Sequence, residues 1–551
     1  MQYYHDTFGR LLALLPWLII PTLCSASENA AKNLLPADQP IASVIDHHID
    51  AQLKASQVAP APQASDAAFL RRVTLDLVGR IPTRSELAAY LKSNDKNKKE
   101  TLVDRLLASP GFVRHQAQRL LVLLEGDGPE SRRGNRNGLR DYLRDGLAQD
   151  RSWDTMFKEL IVPNQADKQQ ARASEFLKSR IRDLDKTTVD VSTVFFGVNI
   201  SCAQCHEHPH VLEWTQDHFY GMKSFFARTF DNGGFLAERS TGAVNFTPNG
   251  GKPKVAEVMF LTGEKIDPPG MKGDKNQEKK ERSLFSKLKK QRKPAPLPEF
   301  SLRQKFLEVA LGPKGRRLFS RSIVNRLWFQ YCGLGLVMPL YQMHEENPAS
   351  HPELLEWLAR DTHDHGYDLK RLIRGIVLSQ AYSRSSQWTE KEVPAEKLFA
   401  RALVRPLTPM QLSRSLLLAS TDPFTLPNDA KQLPDHFASL DRRAEGLASF
   451  FPEPGHGFQV SVKEAMLFSN NERIARDLLQ GGNSLVESLT KIKDLRDRAE
   501  LAVKTIFTRE PRSTEIDLLS SYMREQDGRT QEICQQVVWA LLTSPEFRFN
   551  H

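Results

Sequence analysis

Apolar residues recur at helical spacing along most of the chain before residue 230. In the run 69–77 (FLRRVTLDL) they return every three or four positions, which places them on one face of a helix. Gly79 follows where a helix C-cap belongs, because glycine adopts the left-handed conformation without strain. Thr83 and Glu86 then have the spacing of a capping box, which predicts the start of the next helix.

The pattern changes after residue 230. Residues 231–270 are rich in glycine, and the apolar run 255–261 (VAEVMFL) predicts a short strand that enters a Thr-Gly turn. From residue 300 the spacing is helical again, and Ser350 and Glu353 form a second candidate capping box. The predicted fold class is mainly α, with two helical domains, a small β-containing insertion and a basic disordered linker between them.

These changes of pattern divide the chain into six segments. The boundaries follow from an N-terminal export signal, the glycine-rich stretch and a basic stretch. The predicted segments are a signal peptide (1–26), an N-terminal lead segment (27–60), a helical domain (61–230), the β-containing insertion (231–270), the basic linker (271–299) and a second helical domain (300–551).

The first residues have the pattern of an export signal. Arg10 is followed by an apolar run at 11–20 (LLALLPWLII), which is too short to span a bilayer. Small residues follow, and cleavage after Ala26 is predicted, with an uncleaved anchor as the alternative. No later stretch is long and apolar enough for a transmembrane helix. We therefore expect an exported protein of the periplasm or cell envelope, soluble or peripherally attached.

The positive charge is concentrated in one stretch. The chain has a net charge of +9, and residues 272–293 hold ten Lys and Arg against three Asp and Glu, which accounts for seven of the nine charges. A solvated, disordered linker is the first interpretation. Electrostatic attachment to an anionic envelope polymer or a membrane surface is the second. Nucleic acid is not expected as a partner, because the remainder of the chain is nearly neutral and carries no basic stripe.

The pentapeptide 202–206 (CAQCH) is the strongest chemical signal. Cys202 and Cys205 can reach the two vinyl groups of one porphyrin, and His206 can ligate the iron from below. This C-x-x-C-H pattern is the attachment signature of c-type haem. Because such haem is attached outside the cytoplasm, the export signal adds weight to the interpretation.

Several residues are candidates for a sixth iron ligand. Met222 lies on the following segment and is preferred among the neighbours. His208 is too close to His206 to reach the opposite haem face, and Pro209 breaks the helix that would bring His210 to the same side. More distant candidates are His344, His351, His363 and His365.

The same residues could instead form a metal site or a disulfide. Cys202, Cys205 and either His206 or His208 offer sulfur and nitrogen ligands for a divalent metal such as zinc. His210, Asp217 or His218 would supply the fourth ligand. Alternatively, Cys202 and Cys205 form a plain disulfide.

Other parts of the chain suggest structural roles. Asp76 is predicted to form an ion pair with Arg71 or Arg72, and Cys332 and Cys534 are predicted to be buried thiols. The sequence has no G-x-S-x-G, P-loop, Rossmann or H-E-x-x-H motif, so an enzymatic activity stays undecided.

One segment pattern occurs twice. Residues 79–87 (GRIPTRSEL), followed by 106–112 (LLASPGF), match residues 508–516 (TREPRSTEI), followed by 541–547 (LLTSPEF), in order and in approximate spacing. A third, partial match is 376–382 (IVLSQAY). The pattern predicts one helical hairpin motif used twice, and convergence on a common capping pattern is the alternative.

These motifs resemble a family of planctomycete-type exported proteins. Its members join the planctomycete cytochrome domain two, which contains C-x-x-C-H, to the planctomycete-specific domain one. The matching blocks are 69–77, 80–83, 102–110, 202–209, 214–221, 324–328, 333–337, 347–355, 368–370 and 544–547. The resemblance implies no activity, since neither domain has an established function. The family usually has an aromatic residue where this chain has His210.

The sequence thus predicts an exported c-type haem-binding protein for redox chemistry or electron transfer, with haem c at Cys202 and Cys205. Such a function requires a redox partner protein, which the sequence does not identify, and the oligomeric state is likewise not specified. The alternative is a non-haem structural or binding protein of the envelope, whose Cys/His cluster holds a metal ion or a disulfide.

Overall fold

The computed structural model describes most of the chain. The described residues are 34–125, 136–207, 211, 214–269, 274–427, 433–454, 472–480, 482–526 and 529–551. The predicted signal peptide, most of the lead segment before residue 34, and His208 and His210 lie outside them. Within the described part, 24 helices make the fold mainly α, as predicted.

The helices are short and connected by tight turns. About half of the described helices begin at a residue whose side chain caps the first turn, and five of them end at a left-handed residue. In chain order they are α1 Ile41–Ala55, α2 Asp66–Val78, α3 Arg84–Lys92, α4 Lys98–Leu107, α5 Pro110–Glu125, α6 Arg136–Ala148, α7 Trp153–Ile161, α8 Glu175–Lys178, α9 Leu184–Phe196, α10 Gln216–Ser224, α11 Lys275–Gln291, α12 Leu302–Ala310, α13 Gly315–Cys332, α14 Pro352–Asp364, α15 Leu369–Val377, α16 Gln380–Ser383, α17 Pro409–Ala419, α18 Leu433–Ala448, α19 Glu472–Leu479, α20 Leu485–Thr490, α21 Leu495–Phe507, α22 Ser513–Glu525, α23 Thr530–Leu542 and α24 Pro545–Arg548.

The strands form small antiparallel pairs. Two pairs lie in the predicted β-containing insertion, and a third crosses its start, since β1 begins at Thr229. The fourth joins the segment after residue 404 to the end of the chain. The pairs are β1 Thr229–Asp231 with β2 Leu236–Glu238, β3 Asn245–Phe246 with β4 Lys254–Val255, β5 Val258–Met259 with β6 Lys265–Ile266, and β7 Arg405–Pro406 with β8 Phe549–Asn550.

The predicted strand at 255–261 is divided between two sheets. Its first residue belongs to β4 and its centre to β5. Between them the N–H of Ala256 donates to the carbonyl of Val244, which turns the chain from one pair to the next. The predicted turn is present, with Gly263 in the left-handed conformation at a φ of 77°.

The first predicted helix boundaries are confirmed, and a later one is wrong. Gly79 is the left-handed C-cap of α2, and Thr83 and Glu86 form the predicted capping box of α3. Helix α14, however, begins after His351 without a side-chain cap. Pro352 occupies its first position, where no N–H needs a partner, so Ser350 does not act as the cap.

Two hydrophobic clusters form the interior. The first joins α1 and most helices up to α10 with α12 to α16. The second is built from residues after 406 together with Leu75 and Ile81. Helix α2 contributes Phe69, Leu70 and Val73 to the first cluster and Leu75 to the second. This helix therefore connects the two clusters.

Polar side chains of α2 also bind distant segments. Asp76 accepts hydrogen bonds from the Tyr382 hydroxyl at 2.7 Å and from Asn550 Nδ2 at 2.8 Å, and it pairs with Arg405. The predicted pairing of Asp76 with a neighbouring arginine is wrong. Arg72 lies one turn before Asp76 on the same side of the helix, but Asp76 is held by Arg405 instead.

The two arginines before Asp76 bind main-chain carbonyls instead. Arg71 Nη2 donates to the carbonyl of Phe547 at 3.1 Å. Arg72 Nη1 donates to the carbonyls of Tyr382 and Arg384. Arg71, Arg72 and Asp76 thus all hold segments that follow residue 380.

Both copies of the internal repeat have the same local structure. In each, a helix ends at a left-handed residue, and the following arginine binds a glutamate six positions later through both terminal nitrogens. A serine hydroxyl then accepts a bond from the N–H three residues further on. The matching residues are Gly79 and Thr508, Arg80 and Arg509, Glu86 and Glu515, and Ser109 and Ser544. The two copies therefore share these local contacts.

The basic stretch is helical, which corrects the predicted disordered linker. Asp274 caps α11 by accepting from the N–H of Asn276. The helix docks onto the β1–β2 pair, where the ring of Phe285 lies 5.1 Å from that of Phe230 and Asn232 donates to the carbonyl of Phe285. The cap and this aromatic contact stabilise a helix whose composition alone indicates disorder.

Within the residues that the structure describes, none of the helices combines the length and the apolar character needed to cross a bilayer.

Candidate functional site

The C-x-x-C-H motif forms a single turn that points outward. Residues Ser201–Gln204 make a 3-10 helix, and the N–H groups of Cys205 and His206 both donate to the carbonyl of Cys202 at 3.3 Å. Ala203 is fully buried, whereas Cys202, Cys205 and His206 are exposed. The turn thus anchors one small side chain in the core and presents all three chemical groups to solvent.

The segment before the motif is fixed by the second half of the chain. Helix α9 ends at Gly197 in the left-handed conformation, and a Cβ there would lie 3.2 Å from the carbonyl of Leu340. Val198 then forms a bridge with Gln342, and the N–H of Asn199 donates to the carbonyl of Tyr341 at 2.8 Å. The motif therefore sits against residues 340–342.

Three polar side chains hold the main chain of the motif from the other side. Gln216 Nε2 and the Tyr220 hydroxyl, one turn apart on α10, reach the carbonyl of Gln204 at 3.2 and 3.4 Å. Asn249 Nδ2 donates to the carbonyl of Cys205 at 2.5 Å. These contacts were missed by the sequence analysis. The i, i+4 spacing of Gln216 and Tyr220 was the available signal, but it did not reveal which segment they would face.

The two motif thiols differ from the other cysteines. All four described cysteines are free, but Cys534 is buried and Cys332 is partly buried, as predicted for structural thiols. Burial raises the pKa of the Cys332 thiol to about 12. Cysteine is among the residues most often found inside proteins, so two exposed thiols on one turn indicate a chemical role.

His206 is oriented by its own main chain. Its Nδ1 lies 2.6 Å from the carbonyl oxygen of Glu207, which accepts a hydrogen bond from the protonated nitrogen. Nε2 then carries the lone pair. Histidines that ligate metals usually donate their other ring nitrogen to a carbonyl or carboxylate in this way.

The structure separates the candidates for a sixth ligand. Met222 is fully buried in the first hydrophobic cluster, on a different face of α10 from the one on which Gln216 and Tyr220 contact the motif. The ring of His344, in contrast, lies 5.9 Å from that of Trp214, two residues beyond the segment that pairs with Val198. His344 is thus the distant candidate that the fold brings to the neighbourhood of the motif.

The remaining candidate metal ligands have other partners. Asp217 forms an ion pair with Lys254 at 2.7 Å, and His218 Nδ1 accepts from the N–H of Thr215 in a capping box. Among the described residues, which exclude His208 and His210, three or more His, Cys, Asp or Glu side chains do not cluster as a metal site would require.

Comparison with protein families matches both halves of the chain. A family described as PSCyt2, protein of unknown function (DUF1549), matches residues 44–231. A second, described as PSD1, protein of unknown function (DUF1553), matches residues 303–438. These are the two domains expected from the sequence motifs. Neither a curated protein nor a solved structure matches the chain.

Proposed function

The chain joins a PSCyt2 domain to a PSD1 domain, and from its exposed C-x-x-C-H turn we propose that it is an exported carrier of one covalently bound haem c. Cys202 and Cys205 hold the porphyrin through thioethers, and His206 is the proximal ligand. Bound in this way, haem supplies one-electron redox chemistry.

The observation that carries this proposal is the contrast within the motif. Its main chain is fixed by Asn199, Gln216, Tyr220 and Asn249, while the three reactive side chains are exposed. A fixed backbone holds the thiols at a constant separation, as attachment to one rigid macrocycle requires. Each of the two thiols would hold the group through one thioether, which would form by addition of S–H across a vinyl group and would need no oxidant.

The protein's own residues set the conditions of electron transfer. The carbonyl of Glu207 keeps Nδ1 of His206 protonated and directs Nε2 outward. The exposed turn places the site at the surface, where a redox partner protein can approach it. His344, beside Trp214, would supply a second nitrogen ligand to the bound iron.

Export is part of the same proposal. Free exposed thiols oxidise outside the cytoplasm unless a group occupies them, so a cofactor at Cys202 and Cys205 and an N-terminal signal at 1–26 are consistent with each other. The protein is then periplasmic or bound at the cell envelope.

The basic face of α11 supports attachment to an anionic polymer of the envelope. Its acidic side chains are used within the protein: Glu278 pairs with Arg282, and Glu281 accepts from the N–H of Ser240. Lysines such as Lys279 and Lys287 are exposed. Phe285 faces the β1–β2 pair, and Leu284 is the one large apolar side chain of this helix that is exposed. A single leucine is less than the apolar face by which interfacial helices enter a lipid surface.

The test is a visible spectrum of the full-length protein made in a host with cytochrome c maturation, together with the intact mass of the same sample. A Soret band, sharp bands after reduction by dithionite, and a mass gain that survives denaturation are expected. The Cys202→Ala/Cys205→Ala variant should lose all three, and the Cys534→Ala control should keep them.

A colourless wild-type protein with the mass of the bare chain would reject the haem proposal. Metal analysis and thiol counting on that sample would then assign the motif. One bound ion indicates a metal site, and two unreactive thiols without an ion indicate a disulfide in a structural or binding protein.

A further inference from the structure

A pocket lies where the two family domains meet, away from the C-x-x-C-H motif. Its walls come from α2, α13, α16 and the segment 399–405, and it encloses about 20 Å3, room for one water molecule or the head of one small anion. Trp328 and Phe399 form an aromatic wall, with their ring centroids 5.3 Å apart.

The lining is positively charged. It contains the guanidinium groups of Arg72, Arg401 and Arg405, and among its described residues it has no carboxylate. Arg405 is paired with Asp76, which lies behind the pocket wall. Arg72, by contrast, binds main-chain carbonyls alone in the described part of the chain and is 3% exposed. The carboxylate of Asp76, one turn further along α2, also attracts the Arg72 guanidinium. It is already paired with Arg405, so the pocket retains one positive charge more than this carboxylate can neutralise.

The other ionisable groups of the lining do not supply that negative charge. Burial raises the pKa of the Cys332 thiol to about 12 and also raises the pKa of the phenols of Tyr331 and Tyr382. All three groups are neutral at physiological pH.

Three buried polar groups of the lining have no hydrogen-bond partner in the described part of the chain. Two are N–H donors, Nη2 of Arg72 and the indole Nε1 of Trp328, and the third is the hydroxyl of Tyr331; all three side chains are almost completely buried. Buried N–H groups are nearly always hydrogen-bonded, and an unpaired charged donor is especially unfavourable. Two such groups beside one pocket indicate a ligand that accepts from both.

We propose that this pocket binds a carboxylate group, with Arg72 and Trp328 as its donors. A water molecule would satisfy the donors but leave the charge of Arg72 uncompensated, whereas an anion does both. The two oxygens of a carboxylate suit a guanidinium donor and a neighbouring N–H donor, and its flat shape suits the aromatic wall. The small volume disfavours a tetrahedral oxyanion. This site does not depend on the haem proposal.

The proposal is tested by thermal unfolding of the full-length protein at constant ionic strength, with chloride replaced in turn by formate, acetate, N-acetylglycine, sulfate or phosphate. Carboxylates are expected to raise the unfolding midpoint with a saturable dependence on concentration. Trp328→Phe keeps the ring but removes the donor, so the apparent affinity should fall about tenfold. Trp388→Phe is the control, since that indole donates to the Glu392 carbonyl at another site.

The set of added anions also distinguishes between two sources of the carboxylate. Stabilisation by formate and acetate alone indicates a free small acid, and stabilisation by N-acetylglycine as well indicates the carboxylate end of a larger molecule. Stabilisation by sulfate or phosphate but not by carboxylates would overturn the proposal. An equal effect of acetate on wild type and Trp328→Phe would overturn it too.

Discussion

Asp76 and Arg405 form a buried ion pair between the two family domains, with Oδ2 and Nη2 2.7 Å apart. The side chains are 3% and 17% exposed. Arg405 lies in β7, which pairs with the last residues of the chain, and one of those residues, Asn550, binds the other oxygen of Asp76. This single carboxylate thus links α2, the second domain and the C-terminus.

Replacing Asp76 with alanine is expected to destabilise the protein by about 3–5 kcal/mol, because it leaves the Arg405 charge buried without its partner. Urea unfolding of the variant measures the loss. Asp104→Ala is the matched control, since Asp104 pairs with Arg374 while both side chains are about half exposed, and it should cost about 1 kcal/mol or less. Equal losses in the two variants would contradict a special role for the buried pair.

The capping box at Glu86 makes stability depend on pH. Burial alone would raise the pKa of Glu86, but the Arg80 guanidinium and the N–H of Thr83 together lower it to about 2. Because the folded-state pKa lies below the ordinary value, the ionised Glu86 side chain contributes about 3 kcal/mol to the free energy of unfolding. This contribution is complete above about pH 4.5 and is lost as the pH falls towards 2.

Urea unfolding of wild type and Glu86→Gln across this pH range measures that contribution. The variant should be less stable at neutral pH, and the difference should disappear below about pH 2, where the Glu86 side chain is also uncharged. Glu308→Gln, at an exposed position, should follow wild type throughout. A difference between wild type and Glu86→Gln that is constant with pH would contradict the assignment.

Local features of the fold were predictable from short stretches of sequence. The C-cap at Gly79, the capping box at Glu86 and the repeated hairpin depend on residues within one or two turns, and all are present. The basic helix α11 was predicted wrongly because its stability depends on Phe230, which lies far away in sequence.

The candidate site was also predictable only in its local features. The three reactive residues of the motif follow from its spacing, but their exposure and the residues that fix their main chain do not. Asn249 and Tyr341 reach the motif through pairing and turns that bring distant segments together. The partner of Asp76, likewise, lies 329 positions away, so the nearby arginines seemed the simpler choice from sequence alone.

Gly79→Ala is expected to destabilise the protein through two separate effects. The residue has a φ of 75°, and an added Cβ would clash with Nδ1 of His115 and lie 2.7 Å from Nη1 of Arg414. Gly250 has a φ of 69° but open space around it, so Gly250→Ala measures the backbone strain alone. Thermal unfolding should show a loss of about 1 kcal/mol for Gly250→Ala and about 3 kcal/mol for Gly79→Ala. Similar losses of stability in the two variants would show that the surrounding side chains move and relieve the clash at position 79.

The basic helix gives a prediction for envelope attachment. Replacing Lys279, Lys287 and Lys290 with glutamine should weaken binding to an anionic polymer such as polygalacturonate by about tenfold or more. Added salt should weaken the wild-type complex in the same way. Co-sedimentation measures both, and a variant with three exposed lysines replaced elsewhere, Lys54, Lys92 and Lys96, is the control. Equal binding by the two variants, or preferential binding to anionic vesicles, would contradict polymer attachment by α11.

Met222 and His344 are the two candidates for the sixth ligand of the proposed haem, and substitutions at the two positions are expected to have different effects. Met222 is fully buried in the first cluster, so Met222→Ala should cost about 2–5 kcal/mol of stability, whereas Met222→Leu, of similar volume, should fold and keep the reduced spectrum. His344 lies against Trp214 beside the segment that positions the motif, so His344→Ala should change the reduced α band while covalent haem is retained. If the band is lost in Met222→Leu and unchanged in His344→Ala, the methionine is the ligand. Helix α10 would then have to move, because the side that faces the motif carries Gln216 and Tyr220.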